Sequence, residues 1–157
     1  MVQIAPSLLS ADFSRLGEDV HQVTKAGADL IHWDIMDGHF VPNLTFGPDM
    51  VRCLRPATSI PFDVHLMVTH PHDFITPFVD AGADMITFHV ESDTDIANTI
   101  TRIKKAGCRA GLSLRPKTSL NDLIYFPITK SFSTNTFDFF IINKCFDNSF
   151  DGSNRNS

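Results

Sequence analysis

Ala26-Gly27-Ala28-Asp29-Leu30-Ile31 recurs as Ala81-Gly82-Ala83-Asp84-Met85-Ile86, with a looser copy at Ala106-Gly107-Cys108-Arg109. In each copy a helical pattern runs up to the glycine and an apolar run follows it. Glycine takes the left-handed conformation that ends a helix without a Cβ penalty, so the unit reads as helix, stop, strand. The preceding segments fit. Leu16, Val20 and Val23 fall at i, i+4, i+7, as do Ile96, Ile100 and Ile103. Asp93 or Thr94 is placed to cap the second of these helices. Pro71 suits the first turn of another, with Phe74 and Phe78 on one face, and Pro77 is expected to kink or shorten it.

Strand candidates are residues 2–7, 29–36, 61–67, 84–90 and 108–114, with starts 23 to 32 residues apart. Strands alternating with helices at this interval predict βαβ units and a parallel sheet. Five such units fit between residue 1 and about residue 124. From Phe126 to Ser157 the rhythm stops. This stretch has no alanine, its only glycine is Gly152, and it holds seven of the fourteen phenylalanines. Phe137, Phe139, Phe140, Ile141 and Ile142 read as one strand, and the polar end, Asp151 to Ser157, is expected to be disordered. Two units are therefore expected, 1–124 and 125–157.

The chain has 157 residues, 43% hydrophobic and 20% charged, the balance of a globular protein. A net charge of −5 gives no reason to expect nucleic acid or an anionic membrane as partner. No run of 18 apolar residues is present, so no membrane span is expected. Cys53, Cys108 and Cys145 are odd in number and far apart, which argues against a disulfide framework or a structural zinc site. A reducing, cytoplasmic compartment is the expectation, and the N-terminus carries no secretory pattern.

Two strand candidates carry polar residues in alternation. His32, Asp34 and Met36 share one face of the first, opposite Ile31, Trp33 and Ile35. Asp63, His65 and Met67 share a face of the next, opposite Phe62, Val64 and Leu66. Parallel strands are usually apolar on both faces, so this alternation needs a reason. Two neutral imidazoles and a carboxylate suit a divalent metal such as zinc, iron, manganese or cobalt. The alternative is a set of buried, mutually hydrogen-bonded polar groups.

Ile4-Ala5-Pro6-Ser7-Leu8-Leu9-Ser10-Ala11-Asp12 resembles the opening of ribulose-phosphate 3-epimerases. So does His32-Trp33-Asp34-Ile35-Met36-Asp37-Gly38-His39-Phe40-Val41-Pro42-Asn43, and Phe62-Asp63-Val64-His65-Leu66-Met67 is similar to the family's third strand. The likeness runs on through Ala110-Gly111-Leu112-Ser113-Leu114 to about Leu123. It implies an α/β fold of the (β/α)8 TIM-barrel type, a ribulose-phosphate-binding barrel with about five of its eight βα units. A complete barrel of this kind takes about 250 residues.

The resemblance also implies roles. Ser7 would touch the substrate. His32, Asp34 and His65 would hold one divalent metal ion (Fe2+, Mn2+, Co2+ or Zn2+), with His65 also near the substrate. Asp34 would be one of two acid/base carboxylates, and Met36 and Met67 would line the wall beside the reacting carbons. The implied reaction interconverts D-ribulose 5-phosphate and D-xylulose 5-phosphate by inversion at C3. One aspartate takes the C3 proton and a second returns it from the other face. Family members form homo-oligomers.

Residues 125–157 depart from the family. Its Gly-rich phosphate turn, the Asp-Gly-Gly of its seventh strand and the Gly-Ser of its eighth have no counterpart, and Asp151-Gly152-Ser153 is not assigned that role. Residues 126–157 are expected to derive from a shifted reading frame or an unspliced or misassembled gene. Two other readings stand beside the isomerase. One is a non-catalytic truncated fragment that misfolds or docks on a full-length homologue. The other is a different sugar-phosphate epimerase, such as an allulose-6-phosphate 3-epimerase.

Several polar residues have plain explanations. His39 and His89 are expected to pack or solvate near the site mouth, His70 and His72 to lie exposed at a helix start, and His21 to be solvated. Asp63 reads as structural, and Asp37 as a turn residue with Gly38.

Overall fold

The computed structural model describes residues 3–119 and 139–142. Five parallel strands form one sheet in sequence order: β1 (Ile31–Met36), β2 (Phe62–Met67), β3 (Met85–His89), β4 (Arg109–Leu114) and β5 (Phe139–Ile142). Helices α1 (Leu16–Lys25), α2 (Pro48–Leu54), α3 (Ile75–Asp80) and α4 (Ile96–Lys105) precede β1 to β4 in turn. This is the α/β arrangement of a partial (β/α)8 barrel. No helix among the described residues is long and apolar enough to cross a membrane.

The repeat that opens the sequence proves to be a helix stop built three times. Gly27, Gly82 and Gly107 have φ of 92°, 100° and 88°. Around each, two backbone bonds close the helix: Gly27 N–H to Thr24 O and Ala28 N–H to Val23 O in the first copy. Gly82 to Val79 with Ala83 to Phe78, and Gly107 to Lys104 with Cys108 to Ile103, repeat the pattern. These are the paired bonds of a Schellman ending, which satisfy carbonyls that the helix leaves over.

The aspartate of the repeat has its own task. Asp29 Oδ2 accepts from Ile4 N at 2.7 Å, and Asp84 Oδ2 accepts from Phe62 N at 2.8 Å. Each acidic residue thus ties the start of its strand to the start of the preceding extended segment.

One sheet face is covered by helices. Ile31, Trp33 and Ile35, Phe62, Val64 and Leu66, Ile86 and Phe88, and Ala110 and Leu112 pack there against Leu16 and Val20, Val51, Phe78, Ile100 and Ile103. Trp33 is fully buried, its ring edge-on to Phe46 and Phe62 at 5.5 and 5.4 Å. The opposite face carries the polar set. Strand register puts Asp34 beside His65 and His65 beside Thr87, with Thr87 beside Gly111.

The structure corrects several expectations. Of the strand expected at residues 2–7, the described residues 3–7 do not form a full strand. They run along β1 with a single bridge, Ser7 to His32, and Pro6 O accepts from His32 N at 2.9 Å. Pro6 has no N–H to return to the ladder, which limits pairing there. The cap of α4 is Asp95, whose side chain accepts from Asn98 N, rather than Asp93 or Thr94. The helix expected from Pro71 is shortened, because Pro71–Asp73 form a separate 3-10 turn. Helix α3 begins at Ile75, so Pro77 occupies its first turn, where the missing N–H costs nothing. Helix α2, with Pro48 at its first position, was not legible as a helix.

The strand expected around Phe137 to Ile142 is present as Phe139–Ile142, parallel to β4. The boundary at 124–125, Asp151-Gly152-Ser153 and the expected disorder at 151–157 lie outside the described residues.

Candidate metal centre and proton-transfer site

The two polar-faced strands lie side by side in register, His32 opposite Asp63, Asp34 opposite His65, and Met36 opposite Met67. Side chains of period two then converge on one surface. His32 Nε2 is 3.3 Å from Asp34 Oδ1, and His65 Nδ1 is 3.6 Å from the same oxygen. One ligand atom each from His32, Asp34 and His65 falls within 4.8 Å of the others. Asp34 and His65 are buried, His65 completely.

Each of these groups is held from behind. His32 Nδ1 is 2.8 Å from Asp63 Oδ2. A carboxylate only accepts, so Nδ1 carries a hydrogen toward Asp63, and Nε2 is the nitrogen turned toward Asp34, the one whose lone pair a metal would take once its proton is displaced. The Ser7 hydroxyl donates to Asp34 Oδ2, and Leu9 N donates to Ser7 Oγ at 3.2 Å. Thr45 bridges the strand end, with its hydroxyl donating to Asp34 O at 2.5 Å and accepting from Met36 N at 3.0 Å.

The electrostatics follow from this packing. Burial pulls the His32 ring toward neutrality, but hydrogen bonds to Asp34 and Asp63 and their negative charge outweigh it, raising its pKa to about 10. Burial works against the Asp34 carboxylate too. Hydrogen bonds from His32 and Ser7 and the positive charge of His32 hold it well below the ordinary range, so Asp34 is ionised at neutral pH. In the absence of another cation, the site therefore takes up a proton.

The donor set fits a divalent metal. It offers two imidazole nitrogens and one carboxylate oxygen close together, with a carboxylate behind one imidazole, the arrangement that orients metal-binding histidines. Asp63, expected to be structural, is that outer carboxylate. Its Oδ1 is buried without a hydrogen-bond partner among the described residues.

Met36 and Met67 sit together at the strand ends and are buried at 3% and 4% exposure. Ser7 is brought to the cluster through Asp34. His39 is exposed and turned back on Asp37 O at 3.0 Å, and His21 and His70 are exposed, as expected. Asp37 organises the turn after β1, where its carboxylate accepts from His39 N, Phe40 N and Thr69 N. Burial alone would raise its pKa, but these backbone donors lower it. His89 was read as a residue that packs or solvates. It lies with Nε2 2.9 Å from His65 Nε2, a contact that only the β2–β3 register reveals. Burial, then the neighbouring His65, bring its pKa down to about 4.

The model of the ribulose-phosphate 3 epimerase family matches residues 3–130. A ribulose-phosphate 3-epimerase from Buchnera aphidicola is 54% identical over 123 residues, covering 78% of this chain and 54% of that protein. The Bacillus subtilis and Escherichia coli proteins of the same name are 50% and 52% identical over 75% and 78% of this chain, and over 54% and 55% of their own lengths. The chain thus spans about half the length of the curated relatives it matches.

Among solved structures, a tryptophan synthase alpha chain from Legionella pneumophila superposes with a TM-score of 0.58 at 18% identity, covering 90% of this chain and 60% of that one. A Yersinia pestis DHPS gives 0.56 at 16%, covering 81% and 50%. These two likenesses speak for the fold alone. The sequence matches speak for descent, and by them this chain belongs to the ribulose-phosphate 3 epimerase family.

Proposed function

We propose that the chain carries the proton-abstracting corner of an isomerase that interconverts D-ribulose 5-phosphate and D-xylulose 5-phosphate by inversion at C3. The observation that supports this most is the convergence of His32 Nε2, Asp34 Oδ1 and His65 Nδ1 on one buried surface. On this reading His32, Asp34 and His65 hold Fe2+, Mn2+, Co2+ or Zn2+. Such an ion supplies Lewis-acid stabilisation of the charge that develops on substrate oxygens.

Asp34 then acts through its two oxygens. Oδ1 lies with the imidazoles, and Oδ2 holds the Ser7 hydroxyl. A proton α to a ketone is weakly acidic, and a carboxylate with a depressed pKa is a weak base. Positioning and charge stabilisation must therefore carry the step. Asp34 takes the C3 proton, and Ser7 keeps the carboxylate oriented and reaches the substrate through the same hydroxyl. Met36 and Met67 form an apolar wall that keeps water from the reacting carbon.

Inversion requires a second acid on the opposite face, and the phosphate requires its own contacts. Both come from outside residues 1–124, which form the working unit, while 125–157 are an addition to it. A cytoplasmic, homo-oligomeric setting belongs to the same reading. It rests on the family resemblance and on two cysteines that are free in the structure, Cys53 and Cys108.

The test is a coupled assay of ribulose 5-phosphate epimerisation with each of the four metals, beside Asp34→Asn. Metal-dependent activity that disappears in the variant is the expected result for a chain that obtains its second acid from its tail or from another subunit. Activity that persists in Asp34→Asn overturns the role given to Asp34. A soluble chain that binds metal without turnover supports the non-catalytic reading.

A further inference from the structure

His89 stands outside the metal cluster and touches it. Its Nε2 lies 2.9 Å from His65 Nε2, with the rings stacked at 5.0 Å and 23° between their planes. Its Nδ1 lies 3.3 Å from Glu91 Oε2. Glu91 is fixed in turn, since Oε1 accepts from Arg115 N at 2.8 Å and from the Thr118 hydroxyl. The Arg115 guanidinium covers the Phe40 ring at 4.0 Å and donates to Phe40 O at 2.7 Å. The Phe40 ring packs on His89 at 5.1 Å. Loops after β1, β3 and β4 thus close around one imidazole.

Proton counting gives this chain of contacts a direction. Glu91 accepts only, so His89 Nδ1 carries a hydrogen. A neutral His89 then presents the Nε2 lone pair to His65. Two facing nitrogens at 2.9 Å share one hydrogen, so His65 donates from Nε2. A neutral His65 that is protonated at Nε2 has its lone pair on Nδ1, and Nδ1 is the atom that faces Asp34. The opposite tautomer would set two lone pairs against each other at Nε2 and turn an N–H toward the cluster.

We propose that His89 and Glu91 are positioning residues that select the Nε2–H tautomer of His65 and so present its Nδ1 lone pair to a divalent cation. This rests on the reading of His32, Asp34 and His65 as a metal site. Asp63 does the same for His32 at the other side of the cluster, so both imidazoles are set from behind by a carboxylate, one directly and one through a second ring. Outer-shell partners of this kind typically change metal affinity ten- to a hundred-fold.

The experiment uses the full chain in two readouts. Long-range 15N–1H spectra of the metal-free protein report the His65 tautomer, and titration with Co2+ followed by visible absorption reports affinity. His89→Gln keeps an acceptor toward His65 and a donor toward Glu91, whereas His89→Leu removes both. The expected result is the Nε2–H tautomer in the unchanged chain and in His89→Gln. In His89→Leu that preference is lost and Co2+ affinity falls about ten- to a hundred-fold. An Nδ1–H tautomer in the unchanged chain overturns the proposal, as does Co2+ affinity in His89→Leu equal to that of His89→Gln. If His89→Leu does not fold, Glu91→Met removes the acceptor that fixes the hydrogen on His89 Nδ1, from a partly exposed position, and is held to the same outcomes. A chain that fails to bind Co2+ at all refutes the metal reading, while its His65 tautomer still decides the relay.

Discussion

Asp63 Oδ2 lies 2.8 Å from His32 Nδ1, and this contact decides which nitrogen of His32 faces Asp34. The two residues are direct neighbours across β1 and β2. The strand pairing that builds the sheet therefore also sets the orientation of the His32 ring.

Asp63→Asn tests that relationship. An amide at this position can still accept through oxygen but brings no charge and can rotate to present a donor. Metal affinity is expected to fall about ten- to a hundred-fold. Isothermal titration with Co2+ or Zn2+ measures it, and an unchanged affinity would remove Asp63 from the site.

The metal-free chain should have a stability maximum near pH 6.5, set by two histidines of opposite sign. His32 has its folded pKa raised to about 10, so its contribution is complete below 6.5 and is lost as pH rises toward 10. His89 has its folded pKa lowered to about 4, so its contribution is complete above 6.5 and is lost as pH falls toward 4. Urea unfolding across pH 4 to 10 reads both limbs. His32→Gln should flatten the alkaline limb, and His89→Gln the acid one.

Binding of a divalent metal should displace the proton that His32 holds. At neutral pH the titration should release protons, and the observed binding heat should vary with the ionisation enthalpy of the buffer. A binding heat that does not depend on buffer would contradict the raised pKa of His32.

Gly111 and Thr87 are paired across β3 and β4, and the absence of a side chain at 111 is structural. A Cβ there would lie 2.2 Å from Thr87 Oγ1, 3.1 Å from Thr87 Cβ and 3.2 Å from Thr87 Cγ2. Rotation of the hydroxyl does not relieve the last two contacts. Gly111→Ala should destabilise by about 1–3 kcal/mol. Thr87→Ala in the same chain should recover part of that loss, a coupling that a double-mutant cycle measures.

Much of this was legible in the sequence because it depends on local rules. The Ala-Gly-Ala-Asp repeat and its looser Ala-Gly-Cys-Arg copy encode three helix stops through a backbone angle that glycine adopts most readily. The alternation of His32, Asp34 and Met36 with Ile31, Trp33 and Ile35 encodes which face meets the helices. What escaped notice depends on pairing between distant segments. The stacking of His89 on His65 follows from the β2–β3 register, and the fixing of Glu91 from the loop after β4. The role of Asp63 needed the β1–β2 register as well. Near the N-terminus, Pro6 turned an expected strand into a single bridge, because a ladder needs donors as well as acceptors.

The most direct test of the central claim is hydrogen exchange at C3. The chain is loaded with Co2+ or Zn2+ and incubated with ribulose 5-phosphate in D2O, and proton NMR follows the C3 signal. Abstraction by Asp34 needs no acid on the opposite face, so exchange is expected even where epimerisation does not occur. It should require the metal and fall by about 10²–10⁴-fold or more in Asp34→Asn. A folded, metal-loaded chain that leaves the C3 proton in place, or that exchanges it equally well in Asp34→Asn, would contradict the assignment of this site.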